Sequence, residues 1–346
     1  MSSPQSSISL PPRHDTFLKI FTKHQLHPNP KPAYLKPGSI SVAHQTGVIT
    51  GGNAGIGLES GRLLLSLGLS QLILAARSPS KGQEAAAALQ KQYPKAKIDV
   101  WQLDLNSYDS IREFARKCAA LPRLDIAILS AGIMNVGYKT SPVTGREEML
   151  QVNYLSTALL AILLLPTLKR EKPSGANTPG RLTLVASGAA LIAEFSEGNG
   201  TPLHPPFDKQ GERWNMSAAK KRYDLSKSMV LMLGYTLSKM IKPDETVINI
   251  VDPSFTPGTS FFHNLPLLIK IFAYPLAMLL GTSTNSAGWR YVDAAVARGK
   301  ESHGSFLSDW EINPYGKQFM DRLWNETVNE LDFPEVREAM ESIREK

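Results

Sequence analysis

Short runs of apolar residues alternate with longer helical patterns through the middle of the chain. The apolar runs predict strands at 46–50, 71–76, 97–102, 124–129, 181–186, 246–251 and 304–308. The patterns between them predict helices near 56–67, 80–92, 107–120, 145–170, 217–240 and 283–299. Strands that alternate with helices form a parallel sheet covered on both faces. We therefore predict an α/β fold with a Rossmann-like, doubly wound parallel sheet and a ligand crevice at the carboxyl ends of its strands.

The chain of 346 residues is predicted to hold a single domain with an appendage at each end. A Pro-rich N-terminal arm, expected to lie on the surface, covers 1–45. The catalytic domain follows over 46–308 and includes a long irregular insertion at 188–216. Residues 309–346 are expected to form a C-terminal helical extension.

Charge and composition exclude several classes of function. The chain carries 38 basic and 31 acidic residues, but no run of five or more basic residues, so nucleic-acid binding is not expected. The lone Cys118 excludes an internal disulfide, and the histidines lack the spacing of metal ligands. No apolar stretch reaches the roughly 18 to 20 residues of a membrane-spanning helix. We expect a cytoplasmic protein, and peripheral contact with a membrane stays open as an alternative.

A glycine-rich run, Thr50-Gly-Gly-Asn-Ala-Gly-Ile-Gly57, joins the first predicted strand to the first predicted helix. Two of its glycines allow a tight turn and a close approach of the backbone to a pyrophosphate, and the last lets the helix pack near the strand. The N-terminus of the helix supplies free N–H groups and a positive dipole. The dinucleotide-binding residues predicted here are Gly51, Asn53, Gly55, Ile56 and Gly57.

The end of the second predicted strand bears on the type of cofactor. A site for NAD places Asp or Glu there, about 20 residues past the last glycine, to bind the ribose 2′-hydroxyl. This chain has Arg77 instead, with Lys81 nearby. A guanidinium pairs with a 2′-phosphate, which a carboxylate would repel. The sequence therefore favours NADP(H).

A tyrosine and a lysine lie four residues apart at the start of a long helical pattern, in Tyr223-Asp-Leu-Ser-Lys227. This spacing places both side chains on one helix face, about one turn apart. An ammonium about 6 Å from a phenol favours the phenolate by roughly 2.8 kcal/mol, or about two pK units. We therefore expect Lys227 to lower the pKa of Tyr223 and to make it a proton-transfer residue.

Together these motifs resemble the short-chain dehydrogenase/reductase family, over residues 46 to about 308. The glycine run is similar to its cofactor motif, and the segment from Tyr223 to Lys227 to its active-site motif. Asp104-Leu105 matches the position that holds the adenine, and Asn153 matches the family's helix asparagine. Ser187, in Leu-Val-Ala-Ser after the fifth predicted strand, matches the catalytic serine.

The resemblance implies a role for each residue. NADPH would deliver hydride to a substrate carbonyl, while Tyr223 donates a proton to the developing alkoxide and Ser187 hydrogen-bonds the same oxygen. Lys227 would hold the ribose hydroxyls of the cofactor, and Tyr223 is expected to contact the cofactor as well. Asn153 would break its helix locally and anchor a water that relays protons to Lys227.

Two positions depart from the family pattern. The Asn-Asn-Ala-Gly after the fourth strand reads Leu-Ser-Ala-Gly here, with Ser130 in place of an amide. The Pro-Gly of the nicotinamide pocket reads Pro253-Ser254. Ser130 and Pro253 are nevertheless expected to contact the cofactor. Thr259 is expected to contact the carboxamide, in a register uncertain by one or two residues.

Aromatic and aliphatic residues are concentrated in 255–280, the segment that matches the family's flap over the substrate. An apolar flap favours a hydrophobic carbonyl or alcohol as the partner, and packing against the core or another subunit is the alternative interpretation. The 188–216 insertion is expected to form part of the substrate rim. The general layout is similar to fungal reductases of secondary metabolism.

The sequence thus predicts an NADPH-dependent carbonyl reductase that acts on a hydrophobic small molecule. Oxidation of an alcohol stays open, because one site catalyses both directions. A catalytically silent NADP(H)-binding sensor or scaffold is the alternative from another class. Both a monomer and a homo-oligomer are compatible with the sequence.

Overall fold

The strands form one eight-stranded sheet. The computed structural model describes residues 7, 10, 17–36, 38–170, 178–195, 202–204, 206–209, 214–257, 281–315 and 319–344. Within these ranges the strands are β1 Thr46–Thr50, β2 Gln71–Ala76, β3 Lys97–Gln102, β4 Ile126–Leu129, β5 Gly180–Val185, β6 Thr246–Val251, β7 Ser305–Ser308 and β8 Glu311–Asn313. The seven strands expected from the sequence are therefore confirmed, with shifts of one or two residues at some ends.

The strand order is β3-β2-β1-β4-β5-β6-β7-β8, and every pair is parallel except β7 with β8. Thr50 at the end of β1 pairs with Ala75 of β2 on one side and Leu129 of β4 on the other. The chain changes direction across the sheet between β1 and β4, so a crevice opens at their carboxyl ends. The predicted doubly wound parallel sheet is confirmed.

Helices cover both faces of the sheet. They are α1 Phe17–Leu26, α2 Gly55–Ser66, α3 Pro79–Gln92, α4 Tyr108–Ala119, α5 Ser156–Lys169, α6 Met216–Ser238, α7 Thr284–Val292, α8 Met320–Glu330 and α9 Pro334–Arg344. Phe114 and Leu160 belong to the core beneath α4, α5 and α6, whereas Leu64 and Trp289 belong to the core beneath α2, α3 and α7. Because strands such as β4 are buried on both faces, they appear in the sequence as continuous apolar runs.

The segment Leu150–Lys169 is long and apolar enough to cross a bilayer by composition, but 89% of its most apolar stretch is buried inside the protein. Its larger part, α5, is flanked by α4, α6 and the C-terminal α9. A helix enclosed in this way needs apolar residues all round. We therefore assign it as a core helix.

The N-terminal arm is more than a surface appendage. It contains the helix α1, and the side chains of Leu35 and Val42 are buried in the core beneath α2. Ser7 is also buried, where its hydroxyl donates to the carbonyl of Asn313 and accepts from the amide of Phe306. The expectation of an arm lying on the surface is wrong for these three residues, because Leu35 and Val42 pack into the core and Ser7 hydrogen-bonds β7 and β8.

The C-terminal extension begins with a strand. Residues 311–313 form β8, which pairs antiparallel with β7 at the edge of the sheet, where the sequence predicted only helices. The expected helices follow as α8, which packs on α6, and α9, which packs on α5. The extension therefore buries the outer surfaces of the two long helices of the catalytic domain.

Candidate active site

A cleft of about 810 Å³ opens at the carboxyl ends of the central strands. Its walls come from the glycine turn, from the ends of β2, β4, β5 and β6, and from α6. The cleft brings together these residues predicted from the sequence: Gly51, Asn53, Gly55, Ile56, Gly57, Arg77, Asp104, Leu105, Ser130, Ser187, Tyr223, Lys227 and Pro253. Asn153 lies behind the wall, and Thr259 lies outside the described residues.

The glycine turn has the shape that a pyrophosphate requires. Gly51 and Gly55 have φ values of +67° and +55°, a region that favours glycine. A Cβ on Gly57 would lie 2.6 Å from the Gly51 carbonyl oxygen, so no larger residue fits there. No side chain caps the first turn of α2, and Ala54 precedes it in extended conformation. The helix therefore presents free N–H groups and its positive dipole end to the cleft.

The end of β2 supplies positive charge to the cleft. Arg77 and Lys81 both line it and are both exposed. Neither side chain makes an ion pair within the described part of the chain. Between Ala76 and Lys81 the sequence contains no carboxylate. This edge of the cleft is therefore suited to an anionic group.

Two further predicted residues fix loops on either side of the glycine turn, Asp104 after β3 and Ser130 after β4. The Asp104 carboxylate accepts a hydrogen bond from the Asn106 amide at 3.0 Å, which fixes the turn after β3. The Ser130 hydroxyl donates to the Thr50 carbonyl at 2.7 Å, and the Ala131 amide donates to the Thr50 hydroxyl at 3.0 Å. Ser130 thus ties the end of β4 to the glycine turn through its hydroxyl.

Tyr223, Ser187 and Lys227 converge on one side of the cleft. Asn215 caps α6, because its side chain accepts from the Ala218 amide at 3.0 Å. Two turns later, the Tyr223 hydroxyl forms a hydrogen bond with the Ser187 side chain. The ammonium of Lys227 lies 5.9 Å from the centre of the Tyr223 ring and donates to the Val185 carbonyl at 2.9 Å. The lysine therefore faces the same cleft as the tyrosine, one helical turn deeper.

The acid–base properties of this pair are set mainly by burial. Burial raises the pKa of Tyr223 above 10, and Asp252 and Asp224 raise it further, whereas the hydrogen bond with Ser187 lowers it. Burial also lowers the pKa of Lys227 to about 8. The expectation that Lys227 lowers the pKa of Tyr223 is wrong for the cofactor-free protein, since desolvation of the phenolate outweighs the distant ammonium. Tyr223 is consequently a neutral phenol, the form that donates a proton.

Asn153 lies behind the wall of the cleft, where its side chain links two segments by hydrogen bonds. It lies in a π-helical turn, Leu150–Leu155, which confirms the predicted local break in its helix. Its side-chain oxygen accepts from the Ile133 amide at 2.8 Å, and its side-chain nitrogen donates to the Ile133 carbonyl at 2.9 Å and the Ser226 hydroxyl at 3.0 Å. A Cβ on Gly132 would lie 3.1 Å from the Lys227 nitrogen and 3.2 Å from the Asn153 oxygen. Asn153 thus connects the loop after β4 to α6 beside Lys227.

The loop after β6 carries the second departure from the family pattern. Ser254 has a φ of 63°, in the left-handed region that glycine adopts without strain. Its amide donates to the Asp252 carboxylate at 3.0 Å. Its hydroxyl oxygen is buried and has no hydrogen-bond partner among the described residues. The backbone here keeps a shape suited to glycine although the chain has a serine.

We expect Ser254→Gly to raise the free energy of unfolding by about 1 kcal/mol. A left-handed residue with a Cβ costs roughly 1–2 kcal/mol, and this gain is partly offset by the greater freedom of glycine in the unfolded chain. Chemical denaturation of the cofactor-free protein measures the change. Ser254→Ala is the control, because it removes the unpartnered hydroxyl but keeps the Cβ. A glycine variant less stable than the alanine variant would contradict the assignment of strain.

Several residues in the cleft were not predicted from the sequence. They are Gln25 of α1, Glu148, Lys220, Asp224, Asp252 and Tyr291. Asp252 had a usable signal, because it directly follows the strand predicted at 246–251. Gln25 had none, since its place in the cleft depends on how the arm packs.

Parts of the 188–216 insertion lie close to the tyrosine helix. The 3-10 turn Gly188–Ile192 follows Ser187 and contacts both α6 and α1. Phe207 is buried with the Arg222 guanidinium 4.9 Å from its ring centre, and the Trp214 ring nitrogen donates to the Val136 carbonyl at 2.6 Å. The role of the 188–216 insertion as part of the substrate rim stays a prediction. Of the proposed flap at 255–280, only 255–257 are among the described residues.

The fold and the cleft define an α/β protein in which a glycine-rich turn and a tyrosine hydrogen-bonded to a serine face the same cleft. Residues 45–197 match the model of the short chain dehydrogenase family. The chain is 41% identical to the short chain dehydrogenase/reductase mfmJ of Annulohypoxylon moriforme, over 98% of this chain and 99% of that one. It is 40% identical to the short chain dehydrogenase virL of Hypocrea virens, over 88% and 89% of the two chains.

A solved structure shares the fold at low sequence identity. A putative short chain dehydrogenase of Escherichia coli CFT073, complexed with NADPH, superposes with a TM-score of 0.57 at 18% identity. The match covers 77% of this chain and 97% of that one. The chain belongs to the short-chain dehydrogenase/reductase family of oxidoreductases.

Proposed function

We propose that this protein is an NADPH-dependent carbonyl reductase that acts on a hydrophobic small molecule, with Tyr223 as the proton donor. The observation that carries the proposal is the Tyr223 hydroxyl, hydrogen-bonded to Ser187 in the cleft that contains the glycine turn and Lys227. A phenol, a serine hydroxyl and a buried lysine beside a pyrophosphate-shaped turn suit reduction of a carbonyl.

The residues of the cleft fit a nicotinamide dinucleotide. The uncapped N-terminus of α2 and the glycines around Gly51 would bind the pyrophosphate, and Asp104 would approach the adenine. Lys227 would bind the ribose next to the nicotinamide. Arg77 and Lys81 support NADPH over NADH, because both cations line the end of β2 where a 2′-phosphate would lie.

The chain's own side chains would manage the proton and the developing charge. When bound, the nicotinamide supplies a hydride to the carbonyl carbon. Tyr223 then gives its hydroxyl proton to the carbonyl oxygen, and Ser187 donates a hydrogen bond to the same oxygen. Lys227 stabilises the phenolate that Tyr223 becomes after the transfer, since its ammonium lies on the same side of the cleft.

The raised pKa of Tyr223 fits its proposed role as the proton donor in carbonyl reduction. A phenol whose pKa lies above 10 keeps its proton throughout the neutral pH range and is ready to donate it. The same site would also catalyse oxidation of the alcohol, since a catalyst acts on both directions of one equilibrium. Reduction of a ketone or aldehyde is the direction that we propose.

The substrate class is proposed from the composition of the cleft mouth. Phe255 and Tyr291 line the cleft, and Phe255 opens the apolar segment that continues to residue 280. Such a lining suits a bulky, weakly polar carbonyl compound. A role in secondary-metabolite biosynthesis, acting in the cytoplasm, is part of the proposal.

A screen of hydrophobic ketones and aldehydes with NADPH, followed by mass analysis of the products, tests this function. A reductase consumes NADPH and forms the alcohol of at least one panel member, and Tyr223→Phe suppresses that reaction. A protein that binds NADPH in a fluorescence titration but reduces no member of the panel would instead be a sensor or scaffold. That outcome would overturn the proposal.

Arg77→Glu should shift the preference for NADPH over NADH by about a hundredfold or more, measured as the ratio of kcat/KM values. The substitution removes a charge-assisted pair and places a carboxylate near the 2′-phosphate. Lys91→Glu is the control, because it makes the same charge change at the far, exposed end of α3. An unchanged ratio of the kcat/KM values for NADPH and NADH in Arg77→Glu would contradict the role proposed for Arg77.

A further inference from the structure

Arg290 holds the loop after β6 that lines the cleft. It lies on α7 and is only 3% exposed. One terminal nitrogen donates to the Pro253 carbonyl at 3.1 Å, and the other donates to the Asp309 carboxylate at 3.1 Å. Pro253 lines the cleft, next to the left-handed Ser254. A single buried guanidinium therefore links the cleft loop to the segment that connects β7 and β8.

The N-terminal arm completes this connection. The Asn29 amide donates to the second carboxylate oxygen of Asp309 at 2.9 Å, and the Asn29 side chain donates to the Asp309 carbonyl at 3.2 Å. The Trp310 ring nitrogen donates to the Asn29 carbonyl at 3.1 Å. Three hydrogen bonds thus attach one residue of the arm to the segment that Arg290 contacts.

These contacts matter because the ion pair is buried. Asp309 is 1% exposed, and a buried carboxylate is costly unless its oxygens receive hydrogen bonds. Arg290 satisfies one oxygen and Asn29 satisfies the other. Asp309 and Trp310 both have positive φ values, 50° and 68°, so their backbone needs such contacts to keep its shape.

The same arm also reaches the cleft directly. Its helix α1 contacts the 3-10 turn that follows Ser187, and Gln25 lines the cleft. Asn29 follows Gln25 by four positions, so one short stretch of the arm contacts both the cleft and the ion pair. The arm therefore touches the site from two directions.

We propose that the N-terminal arm is a working part of the active site, in which Asn29 acts through Asp309 and Arg290 to fix the Pro253 loop. Asn29 and Arg290 are positioning residues for the backbone beside the nicotinamide. The proposal rests on the function proposed above for its activity readout alone, because the state of the loop is measurable without cofactor or substrate.

Amide hydrogen exchange of the cofactor-free protein tests the proposal. Asn29→Pro removes the backbone donor to Asp309 as well as the side chain, whereas the matched control Asn29→Ala keeps that backbone donor. We expect Asn29→Pro to speed exchange of the Asp252 and Ser254 amides about tenfold, and Asn29→Ala to change it much less. Exchange in β1 and β4 should stay as in the wild type.

A purely structural arm gives a different pattern. Asn29→Pro would then speed exchange throughout the protein in proportion to its lower stability, or would leave Asp252 and Ser254 unchanged, and either result overturns the proposal. Arg290→Lys provides a second test if Asn29→Pro does not fold. Lysine keeps the charge but not the planar pair of donors, so the same two amides should exchange faster. Unchanged exchange in that variant also overturns the proposal.

Activity distinguishes this proposal from the proposed function. In Asn29→Pro we expect a severalfold lower kcat with the ketone and a severalfold weaker NADPH affinity, whereas KM for the ketone changes less. Faster loop exchange in a protein that reduces no ketone would uphold the role of the arm and reject the reductase assignment.

Discussion

Tyr223→Phe should lower kcat with a ketone substrate by a factor of about 10²–10⁴, the usual contribution of a positioned general acid. The variant loses the hydroxyl that hydrogen-bonds Ser187, but the ring still fills its place on α6. NADPH affinity should change little, because the glycine turn and Lys227 are intact. Steady-state kinetics and a fluorescence titration with NADPH measure the two effects.

Tyr235→Phe is the matched control for that variant. Tyr235 lies on the same helix about three turns later and packs edge-on against Tyr315, away from the cleft. It should keep the wild-type kcat within about twofold, as expected of a substitution away from the chemistry. An unchanged kcat in Tyr223→Phe would reject the tyrosine as the proton donor.

Lys227→Met should abolish turnover, weaken NADPH binding and make the cofactor-free protein more stable. The pKa of Lys227 falls from 10.5 to about 8, which corresponds to a burial cost of about 3 kcal/mol for the ammonium. Methionine removes this burial cost. The variant also loses the hydrogen bond to the Val185 carbonyl, however, and this loss cancels about 1–2 kcal/mol of the gain in stability. We expect the free energy of unfolding at pH 7 to rise by about 1–2 kcal/mol.

The pH dependence of stability gives Lys227→Met a second signature. Between about pH 8 and 10.5 the unfolded wild-type chain still binds a proton that the folded protein has released from Lys227. Wild-type stability should therefore gain a rising contribution with pH in this window, and the variant should lack it. Lys221→Met, an exposed change on the same helix, should leave stability and its pH profile unchanged. Normal turnover in Lys227→Met would contradict the role of Lys227.

Much of the fold follows from the sequence because the central strands are buried on both faces. β1, β4 and β6 each consist of buried residues from end to end and are mostly apolar, although β1 begins and ends with threonine, so the sequence marks them. β8 has only three residues at the edge of the sheet and no comparable pattern. The burial of Leu35 depends on contacts with distant parts of the chain, which local patterns do not record.

The candidate site could be predicted wherever its chemistry depends on local spacing. The glycine turn, and the four-residue step from Tyr223 to Lys227, place their groups through the geometry of one turn or one helix. Tyr223 and Lys227 line the same cleft as Gly57, as their predicted roles require. The direction of the shift in the pKa of Tyr223 could not be predicted from the sequence, because desolvation depends on every element packed around the phenol.

Contacts between segments that are distant in the chain could not be predicted from the sequence either. Gln25 enters the cleft, and Asn29 reaches Asp309, because the arm folds back on the catalytic domain. The two partners of that second contact are 280 residues apart in the chain. No motif connects them, so only the three-dimensional arrangement reveals that the arm belongs to the site.

Transfer of deuterium from labelled NADPH tests the central claim most directly. The protein is incubated with the ketone panel and NADPH deuterated at C4, with each of the two stereoisomers in separate reactions. The proposed reductase produces an alcohol that is one mass unit heavier with one stereoisomer, and Tyr223→Phe yields almost none of it. NADPH that binds in the cleft while no product carries the label would contradict the assignment.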